Sequence, residues 1–354
     1  MPLPWPAAIS SFSRLAPRLP SSSFLKSGIK LVPKASMEDG EALLPLRRKL
    51  ASSRICLVSG FSTELLEVRS EAPSFHVLVV PGNPGIALFY KEFIEALYQL
   101  FDGNASITAI SHISHSRKDW EHGRRFSLQE QIDHKLDFIN QELRISEIPL
   151  ILVGHSIGAY ICLEIFKRHP NQVMFVVGLY PFLALNRDSL TQTIIRIIAG
   201  STFLNVSASY LLSLLGSFPA QFLRTLVRKL LGKSWSTTAV DAVCDNILQY
   251  HTMRNVLYMV LTEFAEFTEE PDWEFMRDKK NQIALLFGTD DHWAPLSFFK
   301  LVSEKVPDLD LSIEREGHSH AFSCTEAGSL WVARHVAALI SGKLKIQLNA
   351  NSQM

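Results

Sequence analysis

An apolar run from Ile148 to Val153 leads without a break into Gly154-His155-Ser156-Ile157-Gly158, and a helical pattern then continues to about Arg168. A strand, a sharp turn and a helix in direct succession make a βα unit, the building block of a parallel α/β sheet. The glycines relieve crowding against the backbone of a strained turn, which lifts the Ser156 hydroxyl clear of the sheet. The same turn points the N–H of Ile157 toward negative charge developing on a nearby oxygen. The five-residue pattern alone is weak, and the strand before it and helix after it make it specific. The plainer reading is a glycine-rich turn with a capping serine.

The surrounding chain repeats this rhythm. His76–Val80, Ser106–Ile110, Ile148–Val153 and Val173–Leu179 are short strand-like runs, and amphipathic segments such as Phe89–Phe101 separate them. Strands that are apolar on both faces, alternating with helices, imply a mostly parallel, doubly wound α/β sheet covered on both sides. Cys56–Val58 and Leu65–Val68 read as a hairpin at its edge. The rhythm stops after Pro181 and resumes with Ile283–Phe287, a helix from Pro295, the strand Leu309–Ile313 and a last helix near Thr325–Ile340. The segment between is helical and reads as a cap inserted over the sheet. The expected organisation is therefore a leader (1–37), a core in two parts (50–181 and 281–342), a helical cap (182–280) and a tail (343–354).

Charge and composition narrow the function. Lys+Arg and Asp+Glu are both 35, which leaves no basic excess to attract nucleic acid. Cys56, Cys162, Cys244 and Cys324 form no metal-binding spacing and read as reduced structural thiols. Residues 1–37 carry Arg14, Arg18, Lys26, Lys30 and Lys34 with many serines and no acid before Glu38. That pattern fits a chloroplast or mitochondrial transit peptide, or a plain leader upstream of Met37.

If Ser156 is a nucleophile, an acid and then a histidine should follow it in the chain. Asp290 and Asp291 end the strand Ile283–Phe287; Asp291 is the first choice and Asp290 the second, one of the pair being a turn or capping residue. His318 and His320 follow the next strand, and two histidines two residues apart cannot both reach Ser156. On the residues alone that choice stays open. Pro81-Gly82-Asn83-Pro84-Gly85 lies where a second oxyanion donor belongs, and Asn83 has both a main-chain N–H and an amide to offer. Read alone, the same five residues make an ordinary turn. Acyl transfer by such a set needs no metal and no cofactor.

Together these segments resemble the lipid-droplet-associated hydrolase family of the α/β-hydrolase superfamily. The resemblance rests on Val80–Gly85 followed by Phe89-Tyr90, on Ile132-Asp133-His134-Lys135-Leu136 and on Gly154–Gly158. It continues in Gly288–Pro295 and His320-Ala321-Phe322, spans about Val77 to Ile340 and is weak through the cap. It implies an α/β-hydrolase fold with Ser156, Asp291 and His320 as the triad, the His-Ala-Phe element favouring His320. The Gly-His pair used elsewhere in the superfamily favours His318. It also implies lipid-ester hydrolysis at droplet surfaces, with a lipid ester as the partner and no protein partner evident.

One further stretch bears on substrate. Between Arg196 and Arg224 no residue is charged, and Ile197, Phe203, Leu204, Tyr210, Leu211, Leu214 and Phe218 fall within it. Gly200, Gly216 and Pro219 interrupt it, so it does not read as a plain transmembrane span. Phe222, Leu226, Leu230 and Leu231, with Arg224, Arg228, Lys229 and Lys233, suggest a basic amphipathic helix. A monolayer-inserting hairpin and an apolar lid over an acyl pocket both account for these residues. Three activities are consistent with the whole: a lipid-ester hydrolase, an acyltransferase if water is excluded, and a lipid-surface binding protein with little turnover.

Overall fold

The computed structural model describes residues 49–143, 148–232 and 234–351. The expected leader, residues 1–37, lies outside them. Among the described residues eight strands form one sheet: β1 (Ser52–Val58), β2 (Phe61–Val68), β3 (Phe75–Val80), β4 (Ala105–Ile110), β5 (Leu150–His155), β6 (Val173–Leu179), β7 (Ile283–Gly288) and β8 (Asp310–Glu314). Their spatial order is β1-β2-β4-β3-β5-β6-β7-β8. The β1–β2 hairpin is antiparallel at the edge, β2 meets β4 antiparallel, and every remaining pair is parallel.

The parallel strands are as apolar as they are because helices cover both faces. Every residue of β4, β5 and β7 is buried, and each Val, Leu or Ile so placed contributes roughly 1.5–3 kcal/mol. Helices α1 (Lys91–Leu100), α2 (Leu128–Phe138) and α3 (Ile157–Arg168) interleave with β3–β6. Between β6 and β7 run α4 (Leu190–Gly200), α5 (Thr202–Gly216), α6 (Ala220–Leu231), α7 (Thr237–Ala242), α8 (Tyr250–Glu266) and α9 (Trp273–Asp278). Helix α10 (Leu296–Lys305) precedes β8, and α11 (Glu326–Asn351) closes the chain and packs on α1. This is an α/β-hydrolase fold.

Some boundaries differ from expectation: β1 begins at Ser52 and β2 at Phe61, each four residues ahead of the expected Cys56 and Leu65. The last helix does not stop near Ile340 but runs to Asn351, so most of the expected tail is helical. Leu344 packs on the core, and Lys343 donates to the carbonyl of Asn281 with its ammonium over the Phe175 ring. Those contacts sustain the helix past Gly342.

Candidate active site

Parallel α/β sheets gather functional groups beyond the carboxyl ends of their strands, and the candidate residues all lie there. Ser156 follows β5 with φ 56° and ψ −123°, a backbone state that a non-glycine residue holds only when its surroundings enforce it. Its N–H donates to the carbonyl of Leu179 at 2.9 Å, and its own carbonyl accepts from Ala159 and Phe182. The flanking glycines have steric reasons. A Cβ at Gly154 would lie 2.2 Å from the carbonyl oxygen of Gly158, and one at Gly158 would lie 2.2 Å from that of Val80. Ile157 takes the first position of α3, where helix geometry gives its N–H no partner within the helix.

Asp291 and His320 meet directly. Asp291 Oδ2 lies 2.9 Å from His320 Nδ1, and Oδ1 accepts from the N–H of Trp293 at 2.8 Å. Burial alone would raise this carboxyl, but the His320 imidazole and the N–H groups of Trp293 and Ala294 outweigh it, and the net position is below the usual aspartate range. Asp290 sits exposed on the turn. His318 points its ring toward Trp331, with centroids 5.9 Å apart, while its N–H donates to buried Glu314. Of the two acids and two histidines, the fold joins Asp291 to His320 and leaves Asp290 and His318 apart from that pair.

The loop after β3 completes the wall. Asn83 Nδ2 donates to the carbonyl of Val256 at 3.1 Å and to Glu263 Oε1 at 3.0 Å, both on α8. The amide is thus committed, and the main-chain N–H is the donor that remains for an oxyanion. The N–H of Gly85 donates to His115 Nδ1, and behind this loop Lys135 is wholly buried, bonded to Ser111, Gln131 and His134. The Ile132–Leu136 segment therefore braces the stretch Ser111–His115, which in turn holds Gly85, and does not line the pocket.

Gly82, Asn83, Ser156, Ile157 and His320 line one pocket, whose remaining wall is mostly apolar, with Phe89, Ile195, Val256, Val260 and Trp293 among its members. Two further groups escaped the sequence reading. His155 Nδ1 lies 2.6 Å from the hydroxyl of Tyr90, and its Nε2 lies 2.9 Å from the carbonyl of His320. The N–H of Gly82 donates to the same Tyr90 hydroxyl at 3.1 Å. Burial, reinforced by the nearby His320 ring, keeps the His155 pKa far below the usual histidine range. The other missed group is Glu263, buried in the pocket wall. Its signal was its place on the apolar stripe Val256, Val260, Glu263, at helical spacing.

A serine on a strained turn, a histidine fixed by a buried carboxylate, and two N–H groups beside them make up the parts for acyl transfer. Comparison with known proteins finds hydrolases of this fold. A family model described as lipid-droplet associated hydrolase matches residues 73–323. A lipid droplet-associated hydrolase of Dictyostelium discoideum is 28% identical over 272 residues, covering 73% of this chain and 86% of the relative. One from Gallus gallus is 28% identical over 294 residues, covering 78% and 86%. Among solved structures, a carboxylesterase of Nitrososphaera gargenis superposes with TM-score 0.57 at 15% identity, covering 84% of this chain and all of that one. An epoxide hydrolase and haloalkane dehalogenases share the same architecture, so likeness at this level speaks for fold alone.

Proposed function

The chain belongs to the lipid-droplet-associated hydrolase family, a hydrolase family of α/β-hydrolase fold, and from that premise we propose that it cleaves carboxylic esters of lipids through an acyl-enzyme on Ser156. The observation that carries the reading is the 2.9 Å contact of His320 Nδ1 with buried Asp291, set in the same pocket as Ser156. With its proton held on Nδ1 by the carboxylate, the imidazole presents a free Nε2 lone pair. Nε2 takes the Ser156 proton as Oγ attacks the ester carbonyl, and the N–H groups of Ile157 and Asn83 receive the oxyanion. Collapse expels the alcohol, which leaves with the proton from His320. Water then repeats the sequence on the acyl-enzyme, releasing the fatty acid and restoring Ser156.

An alkyl fluorophosphonate probe tests this directly. The folded wild-type protein is expected to be labelled and Ser156→Ala is not. Equal labelling of both, or none of either, would remove Ser156 from the role of nucleophile; the second result would favour a lipid-surface binding protein without turnover.

The helices between β6 and β7 support action at a lipid surface. Helix α5 is inverted: it buries Asn205 and Ser209 and turns Phe203, Tyr210, Leu211 and Leu214 outward, with Phe203 77% and Leu214 64% exposed. Arg254 Nη1 donates to Asn205 Oδ1 at 2.6 Å, which accounts for the polar inner face. No single helix among the described residues is long and apolar enough to cross a membrane, and α4 meets α5 at 96°. A pair so bent suits lying within one leaflet. The basic contribution is smaller than the sequence implied, because Arg224 is paired with Asp241 at 2.6 Å; Lys233 lies outside the described residues.

Each large apolar side chain moved from water to lipid contributes roughly 1.5–3 kcal/mol. The triple variant Phe203→Ser, Leu211→Ser, Leu214→Ser is therefore expected to reduce flotation with phosphatidylcholine-coated triolein droplets by about 100-fold or more. Its turnover of a water-soluble ester should hold. Undiminished flotation would remove this face from the lipid surface.

A further inference from the structure

Glu263 has no part in the triad, yet it is buried in the pocket wall and is bonded to the residue that carries an oxyanion donor. We propose that Glu263 is a positioning residue for acyl transfer, working as a neutral carboxylic acid that anchors Asn83 and, once ionised, opposes the oxyanion beside it. The proposal rests on the acyl-enzyme reading above.

The geometry supplies the anchor. Asn83 Nδ2 spans two acceptors on α8, the carbonyl of Val256 and Oε1 of Glu263, and so fixes the residue whose main-chain N–H the acyl-enzyme reading assigns to the oxyanion. The surroundings supply the neutral state. Tyr90, His155, His320 and Cys324 are the titratable groups across the pocket. Glu130, Asp133, His134, Lys135 and Asp137 lie on α2, Arg196 on α4, Tyr210 on α5, Asp245 in the π-helical segment Val243–Ile247 before α8, and Tyr250, His251, Arg254, Tyr258 and Glu266 on α8 itself. None of their charges sets this carboxyl: burial pushes it up to about 8, and the Asn83 amide draws it partly back. It is consequently protonated at neutral pH and anionic above pH 8. A carboxyl raised in the folded state lowers stability as pH climbs from the usual glutamate range toward 8. An apolar residue in this wall would avoid that loss, which points to a task at the site.

An anion here would sit next to negative charge forming on the substrate, so the active form is the protonated one. Above its pKa the active fraction falls about tenfold per pH unit. The experiment measures kcat/KM for p-nitrophenyl butyrate from pH 6.5 to 9.5, corrected for spontaneous hydrolysis, in wild type, Glu263→Gln and Glu263→Leu. Wild type is expected to lose about tenfold or more between pH 7 and 9.5. Glu263→Gln keeps the acceptor for Asn83 and cannot ionise, so it should match wild type at pH 7 within about threefold and show no such decline. Glu263→Leu should be impaired at every pH. A decline in Glu263→Gln equal to that of wild type, or a Gln variant as impaired as the Leu variant, would overturn the proposal. Fluorophosphonate labelling of wild type with either result leaves the acyl-enzyme reading standing. Absence of labelling would overturn that reading and this proposal together.

Discussion

Replacing His320 by alanine is expected to lower kcat for ester hydrolysis by about 10⁶-fold, while His318→Ala stays within about tenfold of wild type. A nucleophile and its base act as one unit, so removing the base alone disables nearly the whole pair. Only the imidazole of His320 is braced by a buried carboxylate, at 2.9 Å. The ring of His318 lies against Trp331 instead, and its backbone is tied to Glu314. Steady-state turnover of a soluble ester by both purified variants decides the matter. Survival of activity in His320→Ala with loss in His318→Ala would move the role two residues along the chain.

The second large effect is expected at the acid. Asp291→Asn should reduce kcat on the order of 10⁴-fold, because an amide that donates to the imidazole holds it in the wrong tautomer. Asp290→Asn should be nearly silent, since that side chain is exposed on the turn. The pair makes a controlled comparison: adjacent positions and the same change of charge, with opposite outcomes. The Asp291 carboxyl is held below the usual aspartate range, so it is ionised in wild type throughout the neutral region. The Asp291→Asn defect should accordingly persist at every pH from 6 to 8. Equal losses in the two variants would show that charge at this turn matters and its geometry does not.

The strands were legible because their burial on two faces leaves a run of apolar, β-branched residues that no surface segment needs. Val173–Leu179 was read residue for residue as β6. The order of serine, acid and histidine was legible for a related reason, since each candidate stands just beyond a recognisable strand. Within the pairs, Asp291 was already the first choice, whereas the residues alone left His318 and His320 open and only the family resemblance favoured His320. Asp291 faces His320 because the N–H groups of Trp293 and Ala294 turn its carboxylate inward, and no sequence pattern encodes that turn. Glu263 was hidden differently. An acid on an apolar stripe reads as a local exception until its partner, Asn83, is known to lie across the pocket. The outward face of α5 was half legible: its lack of charge was plain, but which side faces the protein depends on Arg254 reaching Asn205.

The bonds that run from Gly82 through Tyr90 and His155 to His320 have a direction. The carbonyl of His320 can only accept, so His155 carries its proton on Nε2; burial keeps the ring neutral, its Nδ1 accepts from the Tyr90 hydroxyl, and the Tyr90 oxygen accepts from the N–H of Gly82. A second proton on His155 would force the tyrosine proton round to the Ser323 hydroxyl, the other side chain bonded to Tyr90. The loop of Asn83 and the loop of His320 are therefore joined by a chain of hydrogen bonds that runs one way while His155 is neutral. The scaffold beneath Ser156 keeps a memory of one protonation state, just as Asp291 holds the Nδ1 side of the His320 ring.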